Sequence, residues 1–235
     1  MNRELNLPDW LQQLADALPH VRAEQLSRFL PPAEGGRHSA VLILFGEGPD
    51  GPDLLFIERA ATLRSHAGQP AFPGGAQDPE DDGPVAAALR EAAEEVGLDP
   101  SGVEVLGVLP DLWVAPSSFV VTPVVAWWRD PHEVRVVDVA EVAAVARVPI
   151  TELTDPANRL RVTHPSGWIG PAFEVRDLLV WGFTAGLTDK LLALGGWERP
   201  WDRSRVRGLD AEAAALALRT VPRPTPDIPD LGSTP

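Results

Sequence analysis

The order of strand-like and helical segments is the feature that most constrains how this chain can fold. Short apolar segments bounded by glycine, proline or aspartate predict strands at 40–45, 54–57, 103–109, 119–128, 159–163 and 172–175. Two further segments have the composition of helices, 84–96 and 181–194. Because strands and helices do not alternate regularly, we predict an α+β fold, an α/β/α sandwich with a mixed β-sheet between helices, rather than a doubly wound parallel sheet.

The two ends of the chain differ from this central pattern. Residues 8–30 contain two helical patterns, the second running from Val21 to Leu30 before a pair of prolines. Residues 136–148 are valine-rich and stay ambiguous between strand and helix. We therefore divide the chain into a helical N-terminal extension, a central domain, a C-terminal extension and a proline-rich tail that is predicted to be disordered: 1–38, 39–195, 196–218 and 219–235.

Composition excludes several classes of protein. The chain has 34 acidic and 20 basic residues and a formal charge of −14, which repels polyanions, so we expect no nucleic-acid partner. It has no cysteine, which excludes disulfides, thiolate metal sites and cysteine nucleophiles. No apolar run approaches the roughly 18 residues that a membrane span needs. The first ten residues also lack the pattern of a signal peptide, so we expect a cytoplasmic protein without a membrane partner.

The predicted helix at 84–96 carries a cluster of carboxylates. Glu91 precedes Glu94 by three residues and Glu95 by four, so all three side chains share one face of the helix. Only Arg90 places a positive charge beside them. A divalent cation would neutralise such a cluster, and carboxylate oxygens are ligands that Mg²⁺ and Mn²⁺ prefer. A solvated acidic helix is the alternative interpretation.

A glycine-rich turn, Phe72-Pro73-Gly74-Gly75, precedes this helix, and paired glycines allow a backbone to approach a ligand closely. From Gly75 to Leu98 the sequence resembles the Nudix box, in which a glycine is followed by a glutamate and then by a run of Arg-Glu, an aliphatic residue, any residue, Glu-Glu, any residue, glycine and an aliphatic residue. The spacing from Gly75 to Arg90 is one residue longer than in that pattern, and Asp82 takes the place of the upstream glutamate.

This resemblance implies a hydrolase of nucleoside diphosphates linked to another group, with water as the nucleophile and Mg²⁺ or Mn²⁺ as the cofactor. A cation would screen the anionic phosphate oxygens and lower the pKa of bound water. Arg90 is expected to pair with a glutamate and fix its rotamer, and so to assist catalysis. The metal ligands implied by position are Glu91, Glu94, Glu95 and a backbone carbonyl at Gly74 or Gly75.

Residues 54–75 resemble the signature that the coenzyme A pyrophosphatase branch of the Nudix family places before its box, although Phe56 stands where that branch has threonine. The resemblance implies hydrolysis of coenzyme A or acyl-coenzyme A to 4′-phosphopantetheine and adenosine 3′,5′-bisphosphate. Cationic side chains beside the turn suit the phosphates of such a substrate, because arginine forks bind phosphate oxygens. The substrate-binding residues expected from this segment are Arg59, Arg64, His66, Gly74 and Gly75.

Two other functions stay open at this point. One is a Nudix hydrolase of ADP-ribose, NADH, dinucleoside polyphosphates or a damaged nucleotide, and the other is a non-catalytic Nudix-fold protein that binds a nucleotide as a regulator. Residues 111–118 depart from the version expected in many members of the branch, so substrate selection can differ. A homodimer stays open, and so does the general base, for which the candidates are Glu91, Glu141, Glu174 and Asp177.

Overall fold

The computed structural model of the chain describes residues 7–32, 34–63, 66–114 and 117–209. Its helices, in chain order, are α1 (Asp9–Ala17), α2 (Ala23–Leu26), α3 (Gly83–Val96), α4 (Ile150–Leu153) and α5 (Gly182–Leu194). Its strands are β1 (Arg37–Gly48), β2 (Gly51–Arg59), β3 (Pro70–Ala71), β4 (Gly74–Ala76), β5 (Val103–Val108), β6 (Leu112–Val114), β7 (Phe119–Trp128), β8 (Val142–Pro149), β9 (Arg159–Thr163), β10 (Ile169–Val175), β11 (Leu178–Val180) and β12 (Val206–Gly208).

The larger of two sheets mixes parallel and antiparallel pairs. Its central strand β1 runs antiparallel to β2 and β4 and parallel to β7. Strand β2 also pairs with β3 and β8, and β7 also pairs with β5 and β6. A smaller sheet has the order β11-β10-β9-β12. The mixed sheet confirms the α+β sandwich that the order of elements predicts.

Alternate residues of β1 pack on opposite faces of the larger sheet, as the period of a strand requires. One face packs on α3, where small side chains let the helix approach the strands closely; this cluster includes Ala40, Leu42, Leu44, Ala87, Ala88 and Ala92. The other face packs on α1 and α5, in a cluster that includes Leu11, Leu14, Ile43, Phe45, Leu187 and Leu191. The sheet is therefore covered by helices on both sides. Among the described helices, α3 is the one that contributes residues to the first of these two clusters.

The N-terminal segment is less helical than its sequence predicts. Helix α1 matches the first helical pattern, but the second pattern yields only α2, because Ser27 has extended backbone with φ −147° and ψ 145°. The Ser27 hydroxyl accepts a hydrogen bond from the Phe29 amide at 3.0 Å, which offers the backbone an alternative to helix. The prediction of a helix from Val21 to Leu30 is therefore wrong before Ala23 and beyond Leu26.

The segment after α5 packs against the start of the chain. The Trp197 ring lies 6.1 Å from the Trp10 ring and 5.6 Å from the Phe45 ring, measured between centroids. The ambiguous segment at 136–148 becomes a strand from Val142 onward. The tail at 219–235, predicted to be disordered, lies outside the described residues. Within the described ranges, every helix is too short or too polar to cross a membrane.

Candidate active site

Helix α3 begins and ends where its sequence predicts. Pro84 lies in the first turn, where its missing N–H removes no helical hydrogen bond, and Gly97 follows the helix in a left-handed conformation with φ 71°. The exposed fraction of the side chain is 58% for Glu94 and 15% for Glu91, whereas the whole of Glu95 is 2% exposed. The carboxylates on this face of α3 therefore range from exposed at Glu94 to buried at Glu95.

Glu95 contacts the glycine turn directly. The Gly74 amide donates a hydrogen bond to Glu95 Oε2 at 2.9 Å, whereas Oε1 is buried without a hydrogen-bond partner among the described residues. Burial raises the pKa of Glu95 to about 8, although the Gly74 amide and the charge of Arg59 oppose this shift. A buried oxygen without a partner is costly, so this atom is suited to a bound cation or donor.

The Glu91 carboxylate lies against Gly75. A Cβ atom at Gly75 would lie 2.4 Å from Glu91 Cδ, so the side chain of any other residue would displace the carboxylate. The turn is held by the pairing of Gly75 with Ala40 of β1 and by Phe72, which stacks on Phe56 with 5.3 Å between ring centroids. Burial also raises the pKa of Glu91.

Arg90 connects the loop before α3 to the carboxylates of the helix. Its Nε and Nη2 donate hydrogen bonds to the two oxygens of Asp81 at 3.0 and 2.9 Å, and Nη2 donates another to the Ala76 carbonyl at 3.1 Å. Its Nη1 donates to Glu91 Oε1 and to Glu94 Oε2, each at 3.1 Å. These partners, Asp81 above all, raise the pKa of Arg90. Arg90 therefore fixes two of the three helix carboxylates relative to the loop.

Asp81 is a residue of this site that the sequence pattern does not identify. Counting back from Arg90 places Asp82 at the position of the upstream glutamate, but Asp82 is exposed, whereas the side chain of Asp81 is 6% exposed and forms the fork with Arg90. Counting six positions forward from Gly75, as the Nudix box does, reaches Asp81. The extra residue of this chain therefore lies between Asp81 and Arg90, and the forward count is the signal that would have found Asp81.

The residues of this site fit a divalent cation. No three histidine, aspartate or glutamate side chains in the described ranges already surround a common metal position, and Glu94 is bound to Arg90. The unpartnered Oε1 of Glu95 and the buried carboxylate of Glu91 are nevertheless oxygens whose desolvation a cation would offset. The groups that would hold it are Glu91, Glu94, Glu95 and a carbonyl at Gly75; once bound, it would screen phosphate charge and acidify a water.

One of the three predicted substrate-binding side chains, Arg59, lies near this centre, and a second, His66, lies near Arg59. The charge of Arg59, the last residue of β2, lowers the pKa of both Glu95 and His66. Nδ1 of His66 lies 3.2 Å from Gln69 Oε1, and burial lowers the pKa of His66, so its ring is neutral near pH 7. Arg64 lies outside the described residues.

One of the three acids from the second half of the chain lies near the helix carboxylates. The charge of Glu141 contributes to the raised pKa of both Glu91 and Glu95. The peptide carbonyl of Glu141 accepts a hydrogen bond at 2.7 Å from the amide of Ala60, the residue that follows Arg59 in the chain. Glu141 thus shares the electrostatic environment of the site.

The other two acids are placed differently. Glu174 lies in the smaller sheet, where Arg205 Nη2 and Arg207 Nη1 contact its carboxylate at 2.7 and 2.6 Å. Asp177 lies in the turn between β10 and β11, with a left-handed φ of 63°. The structure therefore does not bring these two acids into the described site.

Known proteins resemble this chain in sequence. A family profile described as the NUDIX domain matches residues 36–166, more than half of the chain. Two relatives, both called "Uncharacterized Nudix hydrolase NudL", come from Citrobacter koseri and Escherichia coli K12. The first is 40% identical over 197 residues, which cover 81% of this chain and 95% of the relative. The second is 38% identical over 196 residues, which cover 80% and 94%.

A solved structure supports the fold. In the crystal structure of the Nudix hydrolase RenU from M. smegmatis, the protein is 22% identical to this chain and superposes with a TM-score of 0.50. The match covers 72% of this chain and 92% of the RenU chain. The family profile and the full-length relatives go further than this likeness of fold. They show that the chain belongs to the Nudix hydrolase family, enzymes that act on pyrophosphate bonds and generally use divalent metal ions.

Proposed function

We propose that this Nudix hydrolase cleaves the pyrophosphate of coenzyme A or of its acyl thioesters, with Mg²⁺ or Mn²⁺ as the cofactor. The segment at 54–75 carries the proposal. Its sequence resembles the signature of the coenzyme A pyrophosphatase branch, and the charge of its Arg59 acts on the buried Glu95. A guanidinium in this position suits the phosphates of such a substrate.

The proposed reaction is hydrolysis of the phosphoric anhydride. Water attacks one phosphorus, the bond from that phosphorus to the bridging oxygen breaks, and the products are 4′-phosphopantetheine and adenosine 3′,5′-bisphosphate. Glu91, Glu94 and Glu95 would hold the cation through their oxygens, with a carbonyl at Gly75 as a further ligand. Among the candidate bases, we favour Glu141 over Glu174, because Glu141 shares the environment of the helix carboxylates whereas Glu174 is paired with two arginines.

A substrate panel tests this proposal. It contains coenzyme A, its 3′-dephospho form, ADP-ribose, NADH and an oxidised deoxynucleoside triphosphate, each with Mg²⁺ and separately with Mn²⁺, and the products are identified by mass. We expect coenzyme A to be cleaved fastest and to yield phosphopantetheine. If ADP-ribose or NADH is preferred, the enzyme class stands and the interpretation of residues 54–71 is wrong. If no pyrophosphate is cleaved, the result contradicts the proposal and favours the non-catalytic nucleotide-binding regulator.

A matched pair of variants connects the activity to the helix carboxylates. Glu95→Gln keeps the size of the side chain but removes its charge, so we expect turnover to fall by orders of magnitude while the fold survives. Glu80→Gln changes an exposed carboxylate of the preceding loop in the same way and should leave turnover unchanged. Equal activity of the two variants would contradict a role for Glu95.

A further inference from the structure

The segment that precedes β8 is fixed to the last turn of α3 by backbone hydrogen bonds. The Val137 amide donates a hydrogen bond to the Glu95 carbonyl at 2.9 Å, and the Asp138 amide donates a second one to the same oxygen at 3.4 Å. This carbonyl is one of the last four of the helix, which have no hydrogen-bond partner within it. The segment that leads to Glu141 is therefore attached to the backbone of a helix carboxylate.

The same segment is fixed to β2 on its other side. Arg59, the last residue of β2, pairs with Val142, the first residue of β8. The Ala60 amide donates a hydrogen bond to the Glu141 carbonyl at 2.7 Å, and Glu141 is half-buried. Glu141 is therefore carried by a short connection between the end of α3 and the end of β2, the two elements that supply Glu95 and Arg59.

A tight turn joins the two attachments, and Asp138 holds it together. The Ala140 amide donates a hydrogen bond to Asp138 Oδ1 at 2.8 Å. The amides of Glu141 and Val142 donate to the Asp138 carbonyl at 3.3 and 2.9 Å. An aspartate that accepts a hydrogen bond from the amide two residues further on stabilises a turn. Asp138 therefore contacts the Glu95 carbonyl through its amide and the backbone of residues 140–142 through its oxygens.

The surroundings of the Asp138 carboxylate leave the turn as its role. The side chain is exposed, and among the described residues it forms no ion pair and accepts no hydrogen bond other than that of the Ala140 amide. An exposed side chain contributes little to packing, so its effect on the protein comes from the backbone conformation that it stabilises.

We propose that Asp138 is a positioning residue, which holds the turn at 138–141 and thereby sets where Glu141 lies relative to Glu95. This inference rests on the proposed function, in which Glu141 is the favoured general base, but it does not depend on coenzyme A as the substrate. Without the side-chain hydrogen bond the turn gains other conformations, and the base spends less time within reach of the attacking water. We therefore expect a loss of turnover without a loss of substrate binding.

Three variants test this role on the pyrophosphate that the wild type cleaves fastest. Asp138→Ala removes the acceptor, so kcat should fall about tenfold to a hundredfold while KM stays within about twofold. Asp138→Asn keeps an acceptor oxygen without the charge and should recover most of this loss. Asp155→Ala is the matched control, because Asp155 is also exposed and its Oδ1 accepts a hydrogen bond from the amide of Ala157, two residues further on, likewise at 2.8 Å. It should change neither constant.

A double-mutant cycle shows whether Asp138 acts through Glu141. Glu141→Gln should by itself lower kcat about a hundredfold or more, because it removes the base. In a protein that already carries Glu141→Gln, adding Asp138→Ala should lower kcat no further, since the group that Asp138 positions is gone.

Amide hydrogen exchange measures the turn independently of turnover. In Asp138→Ala, the Ala140 amide should exchange about fivefold to tenfold faster than in the wild type, the effect of losing one hydrogen bond. In Asp155→Ala, exchange at Ala140 should stay at the wild-type rate. Nuclear magnetic resonance of the metal-free proteins follows both amides without any substrate.

The outcomes distinguish this inference from the proposed function. If coenzyme A is not the preferred substrate but the effect of Asp138→Ala disappears in the Glu141→Gln background, the positioning role stands and the coenzyme A assignment fails. If the two losses multiply, if Asp138→Asn is as impaired as Asp138→Ala, or if exchange at Ala140 is unchanged in Asp138→Ala, the positioning role is wrong. An unchanged kcat in Glu141→Gln would also overturn it.

Discussion

Glu95 combines burial, one backbone hydrogen bond and one oxygen without a partner, and this combination makes its charge costly in the absence of a cation. The unfolded chain ionises a glutamate near pH 4.5, whereas the folded protein retains the Glu95 proton up to about pH 8. Between these values the folded state binds more protons, so the free energy of unfolding falls as pH rises.

The first prediction concerns the pH dependence of stability. The melting temperature of the metal-free wild type should fall between about pH 5 and about pH 8, and the fall should be smaller in Glu95→Gln, which cannot ionise. Mg²⁺ should raise the melting temperature most at the upper end of this range, because it binds the ionised carboxylates. Parallel pH profiles for wild type and variant, measured by thermal unfolding, would contradict the prediction.

The second prediction separates two adjacent aspartates. Asp81→Asn weakens the fork with Arg90, which then holds Glu91 and Glu94 less firmly, so we expect kcat to fall about tenfold to a hundredfold, the usual effect of losing a partner behind a metal ligand. Asp82→Asn changes an exposed side chain and should leave kcat within twofold of wild type, roughly the scatter expected for a surface change. Steady-state kinetics at saturating metal would decide, and a larger effect at Asp82 would favour the count back from Arg90.

At the scale of elements, the turn into β4 and helix α3 form one packed unit. Glu91 of the helix lies against Gly75, and Glu95 accepts a hydrogen bond from the Gly74 amide. The backbone of Gly74 has φ 150°, and a Cβ atom there would lie 2.2 Å from the Ala40 carbonyl oxygen of β1. The Cβ of Gly75 would instead meet the end of a side chain, Glu91. The two positions therefore require glycine for different reasons: any other residue would clash with the backbone of β1 at Gly74 and with the Glu91 side chain at Gly75.

The third prediction follows from this difference. Gly74→Ala should lower the free energy of unfolding by about 3 kcal/mol or more, since a rigid backbone cannot make room and the φ value is strained. Gly75→Ala should cost less stability but reduce kcat about a hundredfold or more, because it displaces a carboxylate that would bind the metal. Denaturant unfolding and steady-state kinetics of both variants would check this, and the reverse order of effects would contradict it.

At the scale of the whole molecule, the ends of the described chain are part of the core rather than appendages. Trp197 packs against Trp10 of α1 and Phe45 of β1, and Leu11 and Leu14 of α1 are fully buried. Contacts between residues so far apart in sequence couple the N-terminal helix, the central sheet and the segment after α5. We therefore propose that the predicted extensions and the central domain unfold as one cooperative unit.

The fourth prediction tests this coupling. Trp197→Ala should lower the free energy of unfolding by about 3 kcal/mol and should move a single transition, seen identically by circular dichroism and by calorimetry. Phe29→Ala, which truncates a 46% exposed ring, is the control and should change stability by less than about 1 kcal/mol. Two separate transitions in the wild type would show that an extension folds independently.

The sequence by itself determined the local features of this protein. The composition of α3 and the glycine that follows it predict where this helix ends. The shared face of Glu91, Glu94 and Glu95 follows from the fixed 3.6-residue period of a helix. The family follows from the same short segment. At Ser27, a hydrogen bond between the side chain and a nearby backbone amide competes with helix formation, and there the periodicity wrongly predicted a helix.

Only the tertiary structure decided which groups from distant segments meet. It placed Glu141 and Arg59 beside Glu95 and chose Asp81 over Asp82 as the partner of Arg90. These neighbours depend on strand order and register, which no short-range pattern contains, because a shift of one residue in a strand turns every side chain to the opposite face. Burial, which sets the pKa of Glu95, likewise arises only when sheet and helix close on each other.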